Sequence, residues 1–209
     1  MNKYKIVSLV LALALLAALV RLVYSTEVQP APASASDVVL QNIFSRKSVR
    51  SYTDRPVSRA QLDTLVRAAM AAPSGRDMRP WKFVVVDDRA VMDTLAARLP
   101  KAKMLADAPA AVVVCGDQSI VDSEGNPSVN WAYDCSAAAE NLLLTAEAMA
   151  LGAVWTGVSP YADRMQAVSE ALNLPDHITP FCVIPVGYPE GQPRPKDKYK
   201  AENVHYNGW

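Results

Sequence analysis

The sequence is poor in the residues from which self-sufficient catalytic centres are made. Its 209 residues include 3 cysteines and 2 histidines. Cys115, Cys135 and Cys182 form no CxxC pair, which excludes a disulfide framework and a cysteine-based zinc site. His177 and His205 stand alone, too few for a histidine-rich metal centre, and an isolated histidine is more often a hydrogen-bonded surface residue than a base. An excess of charge is missing as well. The 21 Lys and Arg balance 21 Asp and Glu, so no basic field gathers a polyanion and the chain is not expected to bind nucleic acid. No GxSxG elbow, P-loop, GxGxxG after a strand or HExxH helix occurs. What is present is apolar bulk: 51% hydrophobic residues, too many for a disordered chain, at a length that suits one globular domain with something added at its N-terminus. An enzyme without its own nucleophile or base borrows its chemistry from a cofactor.

Lys3 and Lys5 precede an apolar run over residues 6–20, the pattern of a secretory signal. Fifteen helical residues cover only about 22 Å of a hydrocarbon core of about 30 Å. Adding Leu22, Val23 and Tyr24, with Arg21 snorkelling, lengthens the run enough to anchor. Ala33-Ser34-Ala35 offers a small-residue cleavage pattern, but far from the apolar run. Residues 1–25 are therefore a membrane anchor or a cleaved signal, a buried helix being the third reading. Residues 26–36, rich in Pro, Ala and Ser, are a linker, and 37–209 are the domain. The amino terminus, Lys3 and Lys5 outweigh Arg21, so the positive-inside bias puts the N-terminus in the cytoplasm. The domain is then exported across, or anchored at, the cytoplasmic membrane on its far side.

Within the domain, Ser36 is placed to cap a short helix to Phe44 whose apolar side is Val39, Leu40, Ile43 and Phe44. Residues 46–52 read as extended. Ser58 and Gln61 form a capping box ahead of a stripe of Leu62, Leu65, Val66, Ala69 and Met70. Residues 82–87 and 110–115 read as buried strands, with an amphipathic helix over 88–99 between them. A long helix over 130–151, apolar on most of its circumference and closed by Gly152, reads as central or as an interface. A third strand over 153–158, a helix over 162–172 and a fourth strand over 181–186 complete the pattern.

Four constellations carry candidate chemistry. In an extended Arg46-Lys47-Ser48-Val49-Arg50, positions 46, 48 and 50 face one way, so two guanidinium groups and a hydroxyl converge as a phosphate requires. A solvated basic turn is the alternative. Pro73-Ser74-Gly75, running through Asp77 and Arg79 to Pro80-Trp81, lets backbone approach a ligand, or is an ordinary helix-to-strand loop. Trp155-Thr156-Gly157 ends a strand with amides that could meet a planar ring. Lys196-Asp197-Lys198 lies in a Pro-rich tail, where a solvated charge run is the alternative.

In this order and spacing the four elements resemble the nitroreductase family of FMN-dependent oxidoreductases. The carrying residues are Arg46-x-Ser48-x-Arg50, the loop from Ala72 to Trp81, AAENLLL at 138–144, GAVWTG at 152–157 and the closing PKDKY at 195–199 with His205-Tyr206-Asn207. The resemblance implies an α+β subunit with a mixed, mostly antiparallel sheet wrapped by helices, and a long central helix at a homodimer interface that holds two FMN. By position Arg46, Lys47, Ser48 and Arg50 look like phosphate and ribityl ligands, and Lys196 and Lys198 like the tail cations closing on the same phosphate. Pro73, Ser74, Gly75 and Asp77 would line the flavin, and Trp155, Thr156 and Gly157 would cover its N5 side. Asp77 and Arg79 replace the family's usual Asn and Gln, and Arg79 is placed to neutralise Asp77. The implied reaction is ping-pong hydride transfer from NADH or NADPH through FMN to a nitroaromatic or quinone-like acceptor, with no catalytic side chain nominated. A domain beyond the membrane would lack that reductant. A different donor, the opposite orientation, or a tethered flavin-binding electron carrier without turnover of its own are the alternatives, beside a tethered binding domain with no flavin.

Overall fold

The run Ala-Ala-Val-Val-Val-Cys has no polar face, so a strand made from it must be covered on both sides. A computed structural model, which describes residues 2–25 and 33–209, shows how. The domain's helices are α2 (Ala35–Ser45), α3 (Arg59–Met70), α4 (Arg89–Arg98), α5 (Trp131–Ala148) and α6 (Ala162–Leu172). Its strands are β1 (Trp81–Val86), β2 (Ala110–Asp117), β3 (Gly152–Ala153), β4 (Thr156–Gly157) and β5 (Ile178–Gly187). The strand order is β1-β2-β5-β3, with β4 also on β5, and every pair of strands is antiparallel. Among the described residues, parallel pairing is confined to the isolated bridge between Ser48 and Ala153.

β2 is buried along its whole length. Ala110, Val112 and Val114 pack into one core with Leu62, Leu65 and Ala69 of α3 and Cys135, Ala138 and Leu142 of α5. Ala111, Val113 and Cys115 point the other way, into a second core with Met92 and Leu95 of α4 and Val168 of α6. Alternation along one strand thus builds a three-layer domain. All three cysteines are buried in it, and burial pushes the thiols of Cys115 and Cys135 up to about 12, which leaves them inert.

Local signals set several boundaries. The box on α3 is formed as expected, with Ser58 accepting from the Gln61 amide. Elsewhere the structure corrects the reading. Ser34, not Ser36, caps α2: its hydroxyl accepts from the Asp37 amide at 3.1 Å, and the Asp37 carboxylate accepts from the Ser34 amide at 3.2 Å. Val39, Leu40, Ile43 and Phe44 of α2, and Met70 of α3, are exposed rather than packed. The expected third strand is two short ones, because Val154 and Trp155 between β3 and β4 turn into the core. α5 ends earlier than Leu151, and the left-handed residue beyond it is Ala150 (φ 55°), not Gly152. Gly152 sits in β3, where a Cβ would lie 2.6 Å from Val49 Cγ1.

The chain divides into two units, Met1–Val38 and Val39–Trp209. The first holds α1 (Lys3–Ser25), of which residues 3–21 have mean hydropathy 2.1 and are nowhere buried. That stretch is long and apolar enough to cross a membrane. The expected linker over 26–36 lies mostly outside the described residues.

Gly116 of β2 faces the Trp131 ring so closely that an added Cβ would overlap it. Gly116→Ala should lower the unfolding free energy by about 1–3 kcal/mol, the usual cost of overpacking, measured as a lower urea midpoint at unchanged slope.

Candidate functional site

The basic segment at 46–50 is held extended by the sheet it flanks. Val49 donates its amide to the Ala153 carbonyl at 3.0 Å, and Val49 and Tyr52 are buried. The Tyr52 hydroxyl donates to the Val49 carbonyl at 2.8 Å. With Val49 turned inward, alternation turns Ser48 and Arg50 outward. There Arg46, Lys47, Ser48 and Arg50 line one cavity of about 230 Å³ together with Lys196 and Lys198 of the tail. Arg194 lines it too, a residue that the sequence reading did not single out. Arg46 pairs with Glu140 at 3.2 Å, and Lys47 with Glu147 at 2.7 Å. Among the described residues no carboxylate lies within 4 Å of Arg50, Arg194, Lys196 or Lys198. Such a group of unspent cations has the charge to attract a dianion, and arginine donors suit phosphate geometry.

The loop after α3 has a different support. Asp134, in the first turns of α5 and buried, accepts from the Ser74 hydroxyl and from the Gly75 amide, each at 2.9 Å. The Ser74 oxygen in turn accepts the Arg79 amide at 2.8 Å. Arg76, Asp77 and Arg79 are all left-handed, with φ between 50° and 55°, a conformation costing a non-glycine residue roughly 1–2 kcal/mol. Asp134 and Ser74 hold the loop in this shape from beneath. On its exposed side Arg79 grips Asp77 with two hydrogen bonds, at 2.6 and 2.7 Å, as the sequence led us to expect. Asp77 is therefore presented as half of an ion pair.

Trp155 is half-buried, its ring edge-on to Phe181 at 5.3 Å. Beyond it, the Thr156 hydroxyl oxygen is buried without a partner. The space over Gly157 is open, with nothing within 4 Å of a would-be Cβ. Arg164 of α6 donates to the Gly157 carbonyl at 2.9 Å and stacks on Tyr161.

The long helix α5 sorts these pieces. Glu140 and Glu147, seven residues apart, share one face and hold Arg46 and Lys47. Asp134 and Asn141, likewise seven apart, share another face about 120° away and hold the 74–75 loop and the Ala68 carbonyl of α3. One chain thus gathers Arg46, Lys47, Ser48, Arg50, Lys196 and Lys198, with 155–157 attached through Ala153. It sets Pro73, Ser74, Gly75 and Asp77 on another side of the helix.

A sequence model of the nitroreductase family matches residues 43–102 and 89–188. The chain belongs to the nitroreductase family. It is an enzyme of a class of NAD(P)H oxidoreductases. The crystal structure of a Parabacteroides distasonis protein described as an NADH dehydrogenase/NAD(P)H nitroreductase is 53% identical over 82% of this chain and 99% of its own, with TM-score 0.78. A protein of the same description from Methanothermobacter thermautotrophicus is 40% identical over 82% of this chain and 87% of its own. A Desulfovibrio desulfuricans nitroreductase solved in complex with FMN is 27% identical over 85% of this chain and 99% of its own, with TM-score 0.70.

Besides Arg194, the residue of this nitroreductase-family chain that the sequence did not mark is Asp134. Its only sequence signal is a carboxylate inside an apolar helix, which called for a partner that sequence spacing does not name. Asp134→Ala leaves the Gly75 amide without its acceptor. It should cost about 1–3 kcal/mol of stability and speed amide exchange at Gly75 and residues 77–79. Asp134→Asn keeps an acceptor and should lose less, which hydrogen-exchange mass spectrometry would read.

Proposed function

We propose that the chain forms a homodimer with FMN at its interface and passes reducing equivalents from NADH or NADPH to nitroaromatic or quinone-like acceptors. The observation that carries this reading is the cation cradle. Arg50, Arg194, Lys196 and Lys198 carry charge that no acid of the described residues balances, around a cavity large enough for a phosphate. Two further features fit a flavin: the open space over Gly157 and the unpartnered Thr156 hydroxyl.

Bound FMN supplies the chemistry, accepting a hydride and giving it up again. The chain's residues hold and orient. Arg46, Ser48, Arg50, Lys196 and Lys198 take the phosphate end, with Arg194 beside them. Lys47, spent on Glu147, fixes the segment. The backbone of Thr156 and Gly157, held still by Arg164, would line the reacting edge of the ring. Pro73, Ser74, Gly75 and Asp77 sit on another side of α5 from the cradle, so the copy that supplies them to a given flavin is the second one. The Ser74 hydroxyl hydrogen is committed to Asp134, so what this loop offers is backbone and ring surface. Asp77 arrives already paired with Arg79, which spares a reducing centre an unbalanced negative charge. Exposed apolar residues of α2, with Tyr199, Tyr206 and Trp209 of the tail, are the surface such a dimer would cover. The donor and then the acceptor occupy one opening in turn, which gives ping-pong kinetics.

The N-terminal segment adds a location. The family match begins at residue 43, and 82% of this chain covers 99% of the Parabacteroides chain, which supports reading α1 as an addition to a domain that is whole without it. We read α1 as an anchor or export signal for the cytoplasmic membrane and 26–36 as the tether.

Arg50→Ala should weaken FMN binding about ten- to hundredfold, the loss of one charge-assisted contact, and leave the weaker binding of riboflavin unchanged. Fluorescence titration of the two flavins measures both. Equal effects on both would remove the phosphate from the site.

A further inference from the structure

Thr156 and Gly157 form one wall of a second cavity, of about 110 Å³, on the side of the sheet covered by α4 and α6. The opposite wall is the connection leaving α4. Its backbone is fixed: Leu99 donates its amide to the Leu95 carbonyl at 2.9 Å, and Ala102 to the Leu99 carbonyl at 2.7 Å. Leu99 and Ala102 are buried, so the turn between them throws Lys101 outward at the cavity rim. The rim carries three cations, Arg98, Lys101 and Arg164, and one acid, Asp163. Arg98 is spent on Glu170 at 2.6 Å, and Glu170 also accepts from Gln166. Arg164 uses one donor on the Gly157 carbonyl and keeps the others. Lys101 has no acid within 4 Å among the described residues. Counting Arg98 with Glu170 as neutral, Lys101 and Arg164 outweigh Asp163.

We propose that this rim binds an anionic group, a phosphate or carboxylate, on the molecule that reacts beside Thr156 and Gly157, with Lys101 as the residue that reads the charge. The proposal rests on the flavin reading insofar as it places the reaction at those two residues. The anion has two possible sources: the pyrophosphate of the nicotinamide dinucleotide, or an acid substituent on the acceptor. Lys101 touches neither the cradle nor the loop at 73–79, so its replacement leaves both intact. A charged contact at this exposure works through attraction rather than geometry, so it sets affinity rather than turnover.

The test uses the full chain with Lys101→Glu and Lys101→Arg. Binding of NAD+ and of para-nitrobenzoate is followed by calorimetry, and kcat and KM are measured with neutral nitrobenzene as control. In Lys101→Glu the Kd of at least one anion should rise about three- to tenfold and be restored in Lys101→Arg, with kcat and the KM of nitrobenzene unchanged. A rise confined to NAD+ assigns the rim to the donor's phosphates, and one confined to para-nitrobenzoate assigns it to the acceptor. No change for either anion, or an equal change for nitrobenzene, overturns the proposal. A chain that holds no FMN sinks the flavin reading instead, while the NAD+ titration still reads the rim.

Discussion

Arg50, Arg194, Lys196 and Lys198 line one cavity with no acid partner among the described residues, and their mutual repulsion is the constraint that the rest of the site answers. Like charges a few ångströms apart cost free energy unless something negative joins them or the scaffold forces them together. Here the scaffold does the forcing. The segment at 46–50 cannot leave, because Val49 is buried against β3 and Tyr52 bonds back to Val49. Gly152 lets that segment lie against the sheet, since any side chain there would strike Val49. Glu147 neutralises Lys47 and Glu140 steadies Arg46 through its Nε, so the outward cations keep a net positive charge to attract a ligand.

The same helix solves a second problem on another face. Three left-handed residues within the stretch 76–79 would relax in isolation. Asp134 prevents this by accepting two hydrogen bonds in the dry interior, where each is stronger than in water and an unmade one is expensive. α5 is thus apolar for packing and carries its few carboxylates where a functional segment must be fastened. Sorting those segments onto different faces leaves each chain with two partial surfaces. A twofold pairing of chains is the symmetric way to bring unlike surfaces together twice.

Much of the architecture was legible because its causes are local. The Ser58 box and the apolar runs of β1, β2 and β5 depend on neighbours a few residues away; the box lies where the sequence puts it, and the strands lie there with ends shifted by one residue in β1, two in β2 and up to three in β5. What escaped depends on distant partners. Asp134 bonds residues 59 and 60 positions away, which no spacing rule reaches. The break between β3 and β4 is invisible in an unbroken apolar stretch, since it comes from Trp155 turning to meet Phe181. Periodicity found the stripe on α2 but not what covers it. Arg194 passed as one more charge in a polar tail until the fold set it beside Arg50.

The central claim is that the chain's unspent cations and its open backbone at Gly157 exist to hold a flavin that nicotinamide reduces. The absorbance spectrum of the purified full-length chain, before and after anaerobic NADH or NADPH, tests this most directly. The account predicts the two visible bands of an oxidised flavin and bleaching of the longer-wavelength band by at least one of the two donors. A chain that shows no such bands even after incubation with FMN would contradict it, because the residues of the proposed site would then be holding nothing.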